Sequence, residues 1–159
     1  MQIHVAAIGR IKEPYLRDGI AEYLKRLSSV CTMHITEIPE EPVRAHASTG
    51  AIDEACSREG ISLLKVTDSS GMRISLDPMG KTLSSESFAG MIKKWEIHGP
   101  HQISFLIGGP NGLSAEVRSR SDLLLSLSQM TFPHQVARFI LMEQIYRAFA
   151  INRGLPYHR

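Results

Sequence analysis

Apolar and polar positions alternate between two periods along the chain, and the switches between them mark its elements. Ile3 to Ile8 is a nearly continuous apolar run stopped at Gly9, as in a strand covered on both faces. Pro14 then stands where a helix can begin, followed by Tyr15, Leu16, Ile20, Tyr23, Leu24 and Leu27 at helical spacing. Cys31, Met33 and Ile35 alternate with Thr32, His34 and Thr36, which predicts a second strand. Between Ala51 and Val66 two readings compete. Ile52, Cys56, Leu63 and Val66 share a helix face despite the roughly 1 kcal/mol cost of Gly60, whereas Ile61 to Val66 alone would pass as a strand; the helix is preferred.

Asp68 to Gly71 has turn composition and Met72 to Leu76 reads as a strand. Ser84 or Ser85 then caps a helix bearing Phe88, Met91, Ile92 and Trp95, which Gly99 and Pro100 end. Ile103 to Ile107 is a continuous apolar strand, running into Gly108, Gly109, Pro110, Asn111 and Gly112. A helical turn from Ser114, a strand from Leu123 to Leu127 and a helix from near Pro133 to about Ile151 complete the series. Alternating strands and helices predict an α/β fold with three layers and a mostly parallel sheet. Twelve of the sixteen residues from Val136 to Ile151 are apolar, more than one stripe supplies. That helix is either central or shared with a second subunit.

Composition narrows the class. With 159 residues, 43% hydrophobic and 21% charged, the chain has the material for one folded domain, expected to span 1–159, and is neither disordered nor fibrous. No uninterrupted apolar stretch exceeds the length of Phe139 to Met142, and Met1 to His4 lacks the pattern of a signal peptide. A cytoplasmic protein without a membrane span is therefore expected, with Cys31 and Cys56 as reduced, core-filling thiols. Net charge is only +2, but residues 130–159 hold Arg138, Arg147, Arg153 and Arg159 against the single acid Glu143. Such a concentration suits a polyanion-binding face, and equally a set of solvated helix-end arginines.

Several motifs fail on spacing. Gly80, Lys81 and Thr82 imitate the end of a phosphate-binding loop, but Ser75 stands where the first glycine is required. The glycines at 108, 109 and 112 do not have the dinucleotide-binding spacing, though they could admit a ligand close to the backbone. Cys31 with His34, and His98 with His101, supply no set of four ligands, so no metal is expected.

Longer runs are more specific. "GIAEYLKRL" (Gly19 to Leu27), "IGGPNGLS" (Ile107 to Ser114), "LSLSQMTFPHQ" (Leu125 to Gln135), "EQIYRAF" (Glu143 to Phe149) and "RGLPYHR" (Arg153 to Arg159) together resemble the ribosomal RNA large-subunit methyltransferase H family of SPOUT methyltransferases. The resemblance covers nearly the whole chain and is weakest between Glu40 and Arg73; Leu155 departs from it, standing where an acidic residue is expected. It implies a homodimer with a C-terminal trefoil knot that methylates N3 of a pseudouridine in 23S rRNA, on the large subunit or the assembled ribosome, with S-adenosylmethionine as methyl donor.

By the same resemblance the cofactor site falls on Leu76, Gly108, Leu127, Ser128, Gln129, Met130, Thr131 and Phe132. Apolar side chains there would cover the adenine faces, and Gly108 would let the chain approach the ribose and methionine portion without a Cβ in the way. Tyr157, His158 and Arg159 are the expected catalytic residues, for base stacking, proton handling and charge stabilisation, and His134, Arg138 and Arg153 the expected RNA contacts. Two other classes stay open: a ribosome-binding assembly factor that has lost chemistry, and an enzyme acting on small nucleotides.

Overall fold

The computed structural model describes residues 1–69 and 71–157; Ser70, His158 and Arg159 lie outside the described residues. Five strands, β1 (Gln2–Ile8), β2 (Thr32–Ile38), β3 (Met72–Thr82), β4 (Gln102–Ile107) and β5 (Leu123–Ser126), form one sheet in the order β2-β1-β4-β3-β5, with every pairing parallel. Five helices connect or follow them: α1 (Pro14–Leu27), α2 (Thr49–Val66), α3 (Ser85–His98), α4 (Ala115–Ser119) and α5 (His134–Asn152).

The right-handed crossover rule distributes the helices. The steps β1→β2 and β3→β4 run one way along the sheet, whereas β2→β3 and β4→β5 run the other, so α1 and α3 cover one face and α2 and α4 the opposite one. Period-2 alternation in the two central strands feeds both layers. Ile3, Val5 and Ala7 of β1 and Ile103, Phe105 and Ile107 of β4 join Ile20, Phe88, Ile92 and Ile145 in one cluster. Ala6, Ile8 and Leu106 join Leu63, Leu64 and Val117 in the other. This is the expected three-layer α/β arrangement.

The elements follow their local signals. Pro14 opens α1, Ser84 rather than Ser85 caps α3 by accepting from the Ser87 N–H, and Ser114 caps α4 through the Val117 N–H. The ambiguous segment is helix from Thr49 to Val66, capped by Ser48. β3 departs from expectation: beyond Leu76 it continues irregularly to Thr82, and pairing with β5 resumes only at Lys81↔Leu125. The imitation of a phosphate loop at 80–82 is therefore a strand end, not a loop opening a helix.

α5 is central. It packs between α1 and α3, and none of its residues is fully exposed, so most of its apolar circumference is used inside the chain. Both cysteines are free and buried, and burial pushes the Cys31 thiol up to about 11. Among the described residues no helix is long and apolar enough to cross a membrane.

One buried titratable group predicts acid sensitivity. His4 is 8% exposed, its Nε2 lies 2.8 Å from Thr36 Oγ1, and Ser104 Oγ is 3.4 Å from its Nδ1. Burial, and then the neighbouring His34, hold its pKa below the usual 6.5; His134 shifts the same way, through burial. The unfolded chain thus takes up protons before the folded one does. Stability should be full above about pH 6.5 and fall as pH drops toward the folded values. Denaturant midpoints at about pH 7.5 and about pH 5.5 should show this fall, and a smaller one in His4→Asn; equal falls in both proteins would remove His4 from the account.

Candidate functional site

Strands β3 and β4 leave the sheet toward opposite helix layers, so their carboxyl ends flank a gap that neither crossover fills. A cavity of about 510 Å³ opens there, walled by the end of β3, the loop after β4, the loop after β5 and the first turn of α5. Its volume lies within the ~300–1,000 Å³ usual for ligand pockets.

Each wall has a local cause. Gly109, Pro110, Asn111 and Gly112 form a tight turn closed by the Gly112 N–H on the Gly109 carbonyl, 3.0 Å, with Gly112 at φ +83°. After β5, the Ser126 hydroxyl donates to the Ser128 carbonyl (2.9 Å) and the Ser128 hydroxyl accepts the Met130 N–H (3.0 Å). Side-chain hydroxyls thus hold a segment that belongs to no helix or strand. Pro133 then starts α5 and brings His134 and Ala137 against the cavity.

Seven of the eight residues expected at the cofactor line this cavity: Leu76, Gly108, Leu127, Ser128, Met130, Thr131 and Phe132. Gln129 is exposed and is not among its lining residues. Gly108 also has a reason within the chain itself. A Cβ there would lie 2.5 Å from the Gly112 carbonyl oxygen and 3.1 Å from Leu113 Cδ2, so the close approach that requires glycine is the loop's own.

The expected RNA contacts separate. Arg138 is fully buried: Nη1 donates to Glu37 Oε1 at 2.6 Å, and Nη2 to the carbonyls of Gly9 at 2.8 Å and Ile8 at 3.4 Å. It has no surface left for a phosphate, and the expectation is corrected to an internal brace at the ends of β1 and β2. His134 turns into the cavity wall, with Nε2 3.3 Å from Glu40 Oε1 but without the alignment of a hydrogen bond. Burial lowers its pKa more than Glu40 raises it, which favours the neutral imidazole. Arg153 is exposed, with its guanidinium 5.9 Å from the centre of the Phe149 ring. Arg147 is paired with Glu143, so two of the arginines concentrated after residue 130 are neutralised within the chain.

Of the expected catalytic residues, His158 and Arg159 lie outside the described residues. Tyr157 is tied down. Its hydroxyl is 3.2 Å from that of Tyr23 and 3.4 Å from Glu143 Oε1, its ring meets Tyr146 edge-on at 4.8 Å, and the Arg147 guanidinium stands 4.9 Å from its centre. Burial, with Tyr23 and Glu143, raises the phenol pKa, so the hydroxyl stays protonated. With its hydroxyl and ring so engaged, Tyr157 is an anchor for the tail more than a free stacking platform.

Two lining residues were not read from the sequence: Asp77 and Arg118, which bond each other at 2.7 Å. The only local signal was Asp77-Pro78 interrupting a strand pattern.

The family described as "Predicted SPOUT methyltransferase" matches residues 1–158. A Methanospirillum hungatei protein is 51% identical over 160 residues, covering all of this chain and 99% of its own. Ribosomal RNA large subunit methyltransferase H of Carboxydothermus hydrogenoformans is 46% identical and that of Bifidobacterium adolescentis 45%, each over 159 residues and the full length of both chains. Among solved structures, a probable methylase family protein of Haemophilus influenzae superposes with a TM-score of 0.58 at 10% identity, over 99% of this chain and 70% of that one. A probable methyltransferase of Bordetella pertussis gives 0.59 at 11%, over 92% and 95%. These two likenesses concern the fold alone.

Proposed function

The chain belongs to the ribosomal RNA large subunit methyltransferase H family of SPOUT methyltransferases, and we propose accordingly that it methylates N3 of a pseudouridine in 23S rRNA with S-adenosylmethionine as donor. The observation that carries this reading is the cavity at the carboxyl ends of β3, β4 and β5, where open α/β sheets generally bind their ligands. The residues present suit an adenosine. Leu76, Leu127 and Met130 offer apolar surface for the ring faces, and backbone groups of the two lining loops are proposed to meet its polar edge.

When bound, the donor supplies an electrophilic methyl group on a sulfonium. The chain's part is alignment and charge. The two loops would hold the donor against the pocket wall, and such alignment would lower the entropy cost of an in-line displacement. The target imide nitrogen must lose its proton, and the imidazole of His158 or the cation of Arg159 is proposed to accept that proton or stabilise the resulting anion. Tyr157 holds the tail in place for them. Arg153, exposed beside that tail, is proposed to meet phosphate.

A homodimer and the C-terminal trefoil knot belong to the same proposal. After the far edge of the sheet at β5 the chain returns to lie between α1 and α3, a course that suits a threaded terminus. Tyr157 is anchored at Glu143, nine residues beyond the His134 end of α5 that lines the cavity. That is about 14 Å along the helix axis. With Tyr157 anchored that far from its own cavity, the chain end is proposed to serve the cavity of a second copy. Sedimentation at micromolar concentration should therefore give a dimer; a 17.7 kDa monomer that is fully active would overturn the shared site.

The reading is tested by calorimetric titration with S-adenosylmethionine together with methylation of ribosomes from a strain lacking the enzyme. Saturable binding and one new methyl on 23S rRNA are expected. Absence of binding at millimolar donor would favour the assembly factor, and methylation of free nucleosides would favour the small-nucleotide enzyme.

A further inference from the structure

Amid the mostly apolar lining of the cavity stands an ion pair. Asp77 is only 4% exposed; its Oδ1 accepts the Met79 N–H at 2.8 Å and its Oδ2 accepts Nε–H of Arg118 at 2.7 Å. Asp77 comes from the irregular stretch of β3 and Arg118 from α4, the helix reached through the loop that follows β4. Arg118 is 48% exposed at its side chain, lines the cavity, and has Nη2 beside Gly112, 3.9 Å from where a Cβ on that glycine would lie.

This geometry spends one N–H of the guanidinium on holding it in place. Among the described residues no hydrogen-bond partner is recorded for Nη1 or Nη2. A guanidinium fixed at Nε and open at its Nη groups is pre-organised for a planar carboxylate, because the fork geometry survives while the rotamer freedom is already lost. The pair is neutral overall, so it complements a zwitterion better than a net charge. Of the proposed donor's parts, only the terminal amino acid is a zwitterion. Resting on the donor reading above, we infer that the Asp77–Arg118 pair receives the amino-acid end of the methyl donor, Arg118 binding its carboxylate while Asp77 holds the guanidinium in place and supplies the negative charge that offsets its ammonium.

S-Adenosylhomocysteine and 5′-methylthioadenosine isolate this contact, since both carry an adenosine and an uncharged sulfur and only the first has the amino-acid end. The probe is calorimetric titration of the full chain with each. Arg118→Gln should weaken S-adenosylhomocysteine roughly tenfold or more while changing 5′-methylthioadenosine less than about twofold, as expected for loss of charge-assisted hydrogen bonds. Arg118→Lys should recover part of the difference, since an ammonium keeps the charge without the fork. Asp77→Asn, which leaves Arg118 in place but unclamped, should also narrow the gap between the two ligands. Equal weakening of both ligands in Arg118→Gln would make the pair a brace of the loop, and no change in either would remove it from the site; both overturn the inference alone. Failure of the unaltered protein to bind either ligand would overturn the donor reading as well.

Discussion

Ending the chain at Tyr157, so that only His158 and Arg159 are lost, is expected to lower methyl transfer to ribosomes by roughly 10²–10⁴-fold, the usual contribution of a positioned acid–base group, while donor affinity stays within about twofold. The two effects separate because the tail is proposed to act on the target nucleotide and not on the donor, and none of the described tail residues lines the cavity of its own chain. Terminal residues normally tolerate deletion, so the ordinary expectation is no effect at all. A second truncation, after Pro156, sharpens the comparison. It also removes Tyr157 and with it the contacts to Tyr23, Glu143, Tyr146 and Arg147, so it should lower thermal stability as well as activity. The shorter deletion should leave the melting midpoint almost unchanged. Wild-type turnover in the protein ending at Tyr157 would show that neither residue takes part in the reaction and would leave Tyr157 as packing alone.

The fold was readable because its determinants are local. Continuous apolar runs at Ile3–Ile8 and Ile103–Ile107 require cover on both faces, and the structure supplies it. Ser84, Ser114 and Pro14 are chemical signals that act within one turn of where they stand. Gly80 shows where local reading ends. In sequence it imitates a phosphate loop, whereas a Cβ there would lie 2.6 Å from the Leu124 backbone, so its cause is a strand 44 residues away. Asp77 and Arg118 escape for the same reason. Neither has a neighbour in sequence that betrays the other, and their pairing exists only because α4 returns over the end of β3. The proposed cofactor residues came from family resemblance, and seven of the eight line one cavity at the strand ends. Of the arginines concentrated near the C-terminus, Arg138 and Arg147 are met by Glu37 and Glu143, a pairing that a charge count alone does not contain.

Arg138→Met is expected to destabilise the fold by about 3 kcal/mol, the lower end of the usual range for breaking a buried ion pair, because Glu37 retains 35% exposure and can recover water. For a chain of this size that is a fall of about 6–12 °C in melting midpoint. The loss has three components. Glu37 keeps its bond from the Ile11 N–H but loses its cation, and the carbonyls of Gly9 and Ile8 at the end of β1 lose the donor that Arg138 supplies. The first turns of α5 lose their tie to β1 and β2, and with it the register that brings His134 to the cavity. Met fills much of the same volume, so the loss reports hydrogen bonds and charge more than a void. Glu37→Gln should cost less, since an amide oxygen still accepts from the guanidinium. A sequence reader would place Arg138 on a phosphate, and the two roles predict different measurements. A brace lowers the melting midpoint and leaves the salt dependence of ribosome binding alone. A phosphate contact would leave the midpoint alone and reduce the salt slope by about one ion. An unchanged midpoint with a shallower slope would return Arg138 to the RNA face and require the buried geometry to open on binding.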